Sequence, residues 1–248
     1  MTQEKSKIVT MASLALFIAG IAITIAVQTV YTWGVVEATQ FDRNDPGLQV
    51  ADQPVDSFRC PLVVTTGEVG VVSASFTNPT ELTRPRLVRT NISDGFIIAR
   101  RELSTNLSLA PGETQTLTWE VTTEDAVWNR FIIVRVFAVR SAAAMPAQVS
   151  TCSIIAVDLP GIPGSWLATA LLALGIFGSV GGLAGWVWGK RPLSYQDNRH
   201  MKQMGLIAAL VVFGLFISLA GYWILSITVL FLSLLLIFNI MLAHFDLL

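Results

Sequence analysis

Between Met204 and Phe245 lie 42 residues without a single Asp, Glu, Lys or Arg. As one helix this stretch would extend about 63 Å at about 1.5 Å per residue, roughly twice the ~30 Å hydrocarbon core of a bilayer. It therefore has to fold back on itself. The turn signal inside it is Ala220-Gly221-Tyr222-Trp223, a permissive glycine beside two aromatics that favour the headgroup level. Two further uncharged runs, Ile8 to Val36 and Leu159 to Gly189, are each long enough for one crossing. With 53% apolar and 13% charged residues and a mean hydropathy of +0.62, the chain reads as an integral membrane protein, not a soluble enzyme or a disordered chain. A net charge of −1 without a clustered basic surface argues against a nucleic-acid partner.

The spacing predicts a membrane α-helical protein with four transmembrane helices and an inserted all-β domain. Its expected segments are 1–36 (cytoplasmic N-terminus and first crossing), 37–59 (linker), 60–158 (exported domain) and 164–189 (second crossing). A basic loop at 190–203, crossings at 204–221 and 224–244, and a short tail at 245–248 complete the plan. The first crossing also has features of a cleaved signal peptide, because Lys5 and Lys7 precede it and Val36-Glu37-Ala38 resembles a cleavage site. Its apolar run exceeds the usual signal length of about 7 to 15 residues, which favours an uncleaved signal anchor. Lys5 and Lys7 on one side, and Lys190, Arg191, Arg199 and Lys202 in the loop, place both termini in the cytoplasm of a cell-membrane protein. Residues 37–160 then lie outside. Tyr31, Trp33, Trp166, Tyr222 and Trp223 fall at the outer interface, and Trp186 and Trp188 at the inner one.

The exported region alternates with a period of two. In Thr114 to Thr122, Leu117, Trp119 and Val121 point one way and Thr116, Thr118, Glu120 and Thr122 the other, after a Pro111-Gly112 turn. In Val69 to Thr77, Val72, Ala74 and Phe76 share a face, and the strand stops at Asn78-Pro79. Further strands are expected at 61–65, 86–93, 96–101, 103–109, 130–140 and 148–157, seven or eight in all. The run Phe76-Thr77-Asn78-Pro79, followed by Leu107-Ser108-Leu109-Ala110-Pro111-Gly112-Glu113 and Thr116-Leu117-Thr118-Trp119, resembles bacterial immunoglobulin-like domains of the cell-adhesion-related type. The resemblance covers about 40% of the chain and implies an extracytoplasmic β-sandwich serving as a binding or spacer module; it transfers no site residue. First and last strands of such a sandwich are commonly neighbours, so Cys60 and Cys152 are expected to pair as a disulfide in the oxidising exterior. Two buried free thiols are the alternative. A bridge would add about 4 to 5 kcal/mol in the chain-entropy model.

Chemistry-bearing residues are sparse, and no catalytic, cofactor-binding or metal-ligating set is expected. His200 and His244 fall near the inner membrane surface, and Glu68, Asp94, Glu102, Glu113, Glu124 and Asp125 at strand ends and turns. Asn239 is the strongest polar residue of the final crossing, placed either to bond another helix or at the interface. Leu230 to Phe238 reads as lipid-facing. The second crossing carries Gly178, Gly181, Gly182, Gly185 and Gly189, and the spacing of Gly181, Gly185 and Gly189 predicts one close-packing face, toward this chain's own first helix or toward another protein. Arg84, Arg86, Arg89, Arg100 and Arg101 form a basic set, readable as a partner surface or a solvated sheet face. In 130–140, Phe131, Ile133, Phe137 and Val139 make a second apolar face opposite Ile132, Val134, Val136 and Ala138, which calls for a protein partner or for cover by a segment such as 37–59. The sequons at Asn91 and Asn106 are read as chance. The expectation is a non-catalytic scaffold, adhesion or accessory protein in membrane lipid, docking a protein partner or a second copy through its sandwich. The alternative is a structural subunit of a larger transport or electron-transfer complex whose cofactors sit on other chains.

Overall fold

The computed structural model describes residues 3–42, 53–93, 101–141 and 145–245. It divides into two compact units, residues 1–33 with 169–248, and residues 34–168.

Among the described residues four helices are long and apolar enough to cross a membrane: α1 (Gln3–Asp42), α2 (Gly164–Gly189), α3 (Tyr195–Leu219) and α4 (Trp223–Phe245). Between α3 and α4 the chain reverses at Gly221, whose φ of +83° is one that glycine adopts without steric cost. The segment expected as a basic loop over 190–203 is mostly helical, because α3 starts at Tyr195. Ser194 Oγ accepts from the Asp197 amide at 3.1 Å, and the Asp197 carboxylate accepts from the Ser194 amide at 3.3 Å. This capping box satisfies amides that the first turn leaves open and starts the helix well before its apolar part. Phe17 and Ile21 of α1 pack with Ile207, Ala208 and Val211 of α3, flanked by Leu183 of α2 and by Leu236, Ile237 and Ile240 of α4.

Among the described residues of the second unit seven strands form two sheets: β1 (Val63–Thr65), β2 (Gly70–Thr77), β3 (Arg84–Ile92), β4 (Arg101–Leu109), β5 (Thr114–Val121), β6 (Phe131–Ala138) and β7 (Gln148–Val157). The five-stranded sheet runs β1-β7-β6-β3-β4 and the two-stranded sheet β2-β5. Every pair is antiparallel except β1 with β7. The strand expected at 96–101 lies almost wholly outside the described residues, and Arg101 itself joins 103–109 in one nine-residue strand.

Alternation turns Val72, Ala74 and Phe76 of β2 and Trp119 and Val121 of β5 toward Val88, Ile92, Ile132, Val134, Val136 and Ile154 of the larger sheet, and these residues share one core. Cys60, just before β1, and Cys152, on β7, are joined by a disulfide beside that core. It ties together the neighbouring first and last strands.

Candidate functional site

In the helical unit the side chains that matter are small or polar. Gly175, Gly178, Gly182, Gly185 and Gly189 of α2 all face α1. A Cβ on Gly178 would lie 3.0 Å from the Gly20 Cα, one on Gly182 2.6 Å from the Phe17 Cα, and one on Gly185 3.2 Å from the Ser13 Cβ. Gly175 and Gly189 meet the hydroxyls of Thr24 and Thr10, each at 2.6 Å. The partners on α1, residues 10, 13, 17, 20 and 24, descend as the glycines ascend, so the two helices run antiparallel with steps of three and four on both sides. That average of 3.5 residues keeps one seam facing its partner. Gly181, expected in the packing face, has nothing within 4 Å of a built Cβ. Steps of four alone drift off a seam that needs alternating threes and fours.

From Thr24, where the glycine seam ends, a polar line continues along α1 through Gln28 and Thr32, each of the three at most 4% exposed. The Gln28 amide donates to the carbonyl oxygen and to Oγ of Ser226 on α4, both at 3.2 Å. Thr32 Oγ1 lies 2.9 Å from Ser226 Oγ and 2.8 Å from Ser218 Oγ on α3. The site therefore ties three helices together through a chain of amide and hydroxyl groups. Gly214 of α3 makes room for it, since a Cβ there would stand 2.6 Å from Gln28 Nε2. Asn239, the polar residue singled out in the sequence, is exposed, as are Phe231, Leu232, Leu234, Leu235 and Phe238 on the same helix. Gln28 is inconspicuous in the sequence because one amide barely lowers the hydropathy of a 29-residue uncharged run. The spacing of Thr24, Gln28 and Thr32, every fourth residue, is the signal that could have found it.

In the β unit the expected partner surface is redistributed. Phe131 and Ile133 are 6% and 1% exposed, and Phe137 and Val139 are half-buried, so these residues do not form a free docking face. Cover reaches Phe131 from the last turns of α1, where a Cβ on Gly34 would strike Ser153 and lie 3.3 Å from the Phe131 ring. The expected linker at 37–59 is not one element. Its start continues α1, residues 43–52 lie outside the described residues, and Gln53, Val55 and Arg59 bond to Val149, Ser150 and Ser73.

The basic set is also dispersed. Arg86 is 3% exposed, its guanidinium 5.8 Å from the Phe76 ring centroid, and Nη2 donates to the Pro146 carbonyl at 2.8 Å. Burial pulls its pKa below the ordinary value, against the raising effect of Asp56. Arg84 shares its face of β3 and is half-buried, whereas Arg89 is exposed on the opposite face. Arg100 lies outside the described residues. Arg101 pairs with Asp125 at 3.3 Å. The three arginines of β3 thus fail to make one patch because the pleat turns Arg84 and Arg86 to one face and Arg89 to the other.

Glu68 stands where the β unit joins α2. Its Oε2 accepts from the Gly164 amide at 2.7 Å, the Thr65 amide at 3.1 Å and the Thr65 hydroxyl at 3.0 Å. Burial alone raises this carboxyl, but the hydrogen bonds from Gly164 and Thr65 together outweigh it and hold the group below the ordinary carboxylate value. His200 lies on α3 and His244 on α4, and among the described residues no three His, Cys, Asp or Glu side chains gather as a metal site. The sequon residues Asn91 and Asn106 lie on β3 and β4.

One edge of the larger sheet is open. Among the described residues β4 pairs as a strand with β3 alone, over nine residues, and Glu102, Ser104, Asn106 and Ser108 are exposed on its outward face.

No family model matches the chain, and no curated protein does. Among solved structures it is similar to the CARDB domain of a Pyrococcus furiosus protein in complex with di-metal ions, with 17% identity and a TM-score of 0.31 over 40% of this chain and 84% of that domain. It is also similar to a β-glucosidase from Listeria innocua in complex with gluconolactone, with 17% identity and a TM-score of 0.28 over 41% of this chain and 16% of that enzyme. A Bifidobacterium adolescentis GH3 β-glucosidase has 16% identity and a TM-score of 0.28 over 51% of this chain and 20% of the enzyme. The chain thus spans a fifth or less of either glucosidase.

Proposed function

We propose that this protein is a non-catalytic membrane scaffold or accessory protein whose four helices span the cell membrane with both termini in the cytoplasm, and whose immunoglobulin-like sandwich docks a protein partner outside. The observation that carries the reading is the open edge of β4. Among the described residues no strand pairs with the side of β4 away from β3, where alternate residues of this nine-residue strand direct their backbone groups outward, and such an edge accepts an added strand from another chain. The exposed Arg89 on the outward face of β3 and Glu102 on β4 supply charges that would fix the register of that strand.

The helices favour the scaffold reading over a subunit of a transport or electron-transfer complex, because the glycine seam that such a subunit would offer to another chain is taken up by α1. The test is the native mass of the protein extracted in mild detergent, compared with a Ser104→Lys/Asn106→Lys variant whose edge lysines oppose strand addition. The reading expects a discrete complex for the natural chain and a shift to smaller mass for the variant. The same mass for both would contradict it.

A further inference from the structure

We propose that the end of the β unit from which α2 leaves is itself a lipid-contacting surface, seated in the outer headgroup layer through Trp128, Val69, Ile162 and Trp166. The proposal rests on the reading of α2 as a membrane-spanning helix.

These four side chains are exposed by 61%, 53%, 45% and 75%, an unusual concentration of large apolar groups at one end of a small domain. Strand register places them together. Ile155 pairs with both Val63 and Phe131, Thr65 pairs with Val157, and the Ala156 amide donates to the Arg130 carbonyl at 2.7 Å. The turn before β6, the turn between β1 and β2, and the chain leaving β7 therefore end at one level. Hydrogen bonds fix the last two to each other: Thr66 Oγ1 donates to Asp158 at 2.8 Å, the single proton of the Thr65 hydroxyl lies between Glu68 and the Ile162 carbonyl, 2.7 Å from Oγ1, and the Gly164 amide donates to Glu68. The first turn of α2 starts from the middle of this group, so the helix that enters the bilayer leaves the domain among these apolar side chains.

Trp128 is the most informative of them. The Arg130 amide donates to the Val127 carbonyl at 3.1 Å, which closes a four-residue turn with Trp128 and Asn129 at its centre, at φ of 53° and 54°. Left-handed conformation at both central residues is the type I′ turn, whose usual occupants are Asn, Asp and Gly. A bulky aromatic there is held against a steric cost, and such residues cluster where they serve a function. Its side chain is displayed and not packed. Tryptophan has an apolar body and a polar N–H, the combination that favours the headgroup layer, and the exposed Arg130 guanidinium beside it suits lipid phosphate. A lipid surface explains why the apolar groups coincide with the exit of α2, which a protein partner would not require.

The test places a fluorophore on single introduced cysteines of the full chain in phosphatidylcholine nanodiscs, with or without nitroxide-bearing lipid. The native cysteines are joined as a disulfide and stay unlabelled. Trp128→Cys and Val69→Cys report the proposed surface, and Leu82→Cys reports the opposite end, in the turn between β2 and β3. Phe177→Cys, exposed on α2, reports insertion. The expected result is strong quenching at 177 by a deep nitroxide, and quenching at 128 and 69 by a shallow nitroxide several-fold greater than at 82. Quenching at 177 with 128 and 69 no more quenched than 82 overturns the proposal and assigns the surface to water or to a protein. Absence of quenching at 177 overturns the spanning reading, and the proposal with it.

Discussion

The Gln28 amide donates to both the carbonyl and the hydroxyl of Ser226, binding α1 to α4 at a point where neither group meets water. In hydrocarbon an unpaired amide is costly, so the pairing specifies which face of α1 meets the other helices. Gln28→Ala should lower resistance to unfolding in sodium dodecyl sulfate by about 1 to 2 kcal/mol. Gly214→Ala brings a Cβ against the same amide and should cost a similar amount in the natural chain but less in the Gln28→Ala background, where the 3.0 Å contact with Val229 remains. The unfolding midpoints of the four proteins in that cycle check both statements.

The α1 and α2 seam separates two adjacent glycines. Gly182→Ala drives a Cβ into the Phe17 backbone and should destabilise by about 1 to 3 kcal/mol, whereas Gly181→Ala enters open space and should change stability by no more than about 0.5 kcal/mol. Equal effects in the same detergent titration would show that the seam is misplaced.

Glu68 makes the junction between the β unit and α2 sensitive to acid. Its folded pKa is lowered, so its stabilisation is complete above the ordinary carboxylate value and is lost as pH falls through the lower folded value. Amide exchange around Gly164, corrected for its intrinsic pH dependence, should accelerate in that acid range. Glu68→Gln should lose this pH dependence and weaken the cap by about 0.5 to 1 kcal/mol.

Asn78 closes the end of β2. Its amide nitrogen donates to the Leu82, Leu109 and Ala110 carbonyls at 2.9, 2.8 and 3.2 Å, and its side-chain oxygen accepts from the Thr80 amide and hydroxyl. Asn78 is itself fully buried, and Asn78→Ala leaves the buried Leu109 carbonyl without this donor while the more exposed partners can turn to water, so it should cost about 1 to 3 kcal/mol. Thermal unfolding of the full chain, followed by a signal from the β unit, measures it.

The sequence showed most clearly those elements whose burial is one-sided. Thr114 to Val121 alternates because one face meets the core and the other meets water, and the hairpin at Gly221 was legible because 42 uncharged residues cannot cross once. Features set by three-dimensional register were not legible. Arg86 and Arg89 look like one patch in the sequence, but the pleat sends one beneath Phe76 and the other to the surface. The start of α3 was hidden because four basic residues read as a loop, although Ser194 and Asp197 carry a helix-starting pattern. Phe131 and Ile133 announced that both faces of β6 want burial, but only the folded chain shows α1 reaching Phe131.

A photoactivatable amino acid at Ser104 in the open edge of β4, compared with one at Phe231 on the exposed face of α4, tests the docking claim in the native membrane. The account predicts one discrete protein adduct from position 104, whether a partner or a second copy, and only lipid adducts from position 231. Protein adducts from 231 with none from 104 would contradict it and would place the protein in a larger membrane complex through its helices.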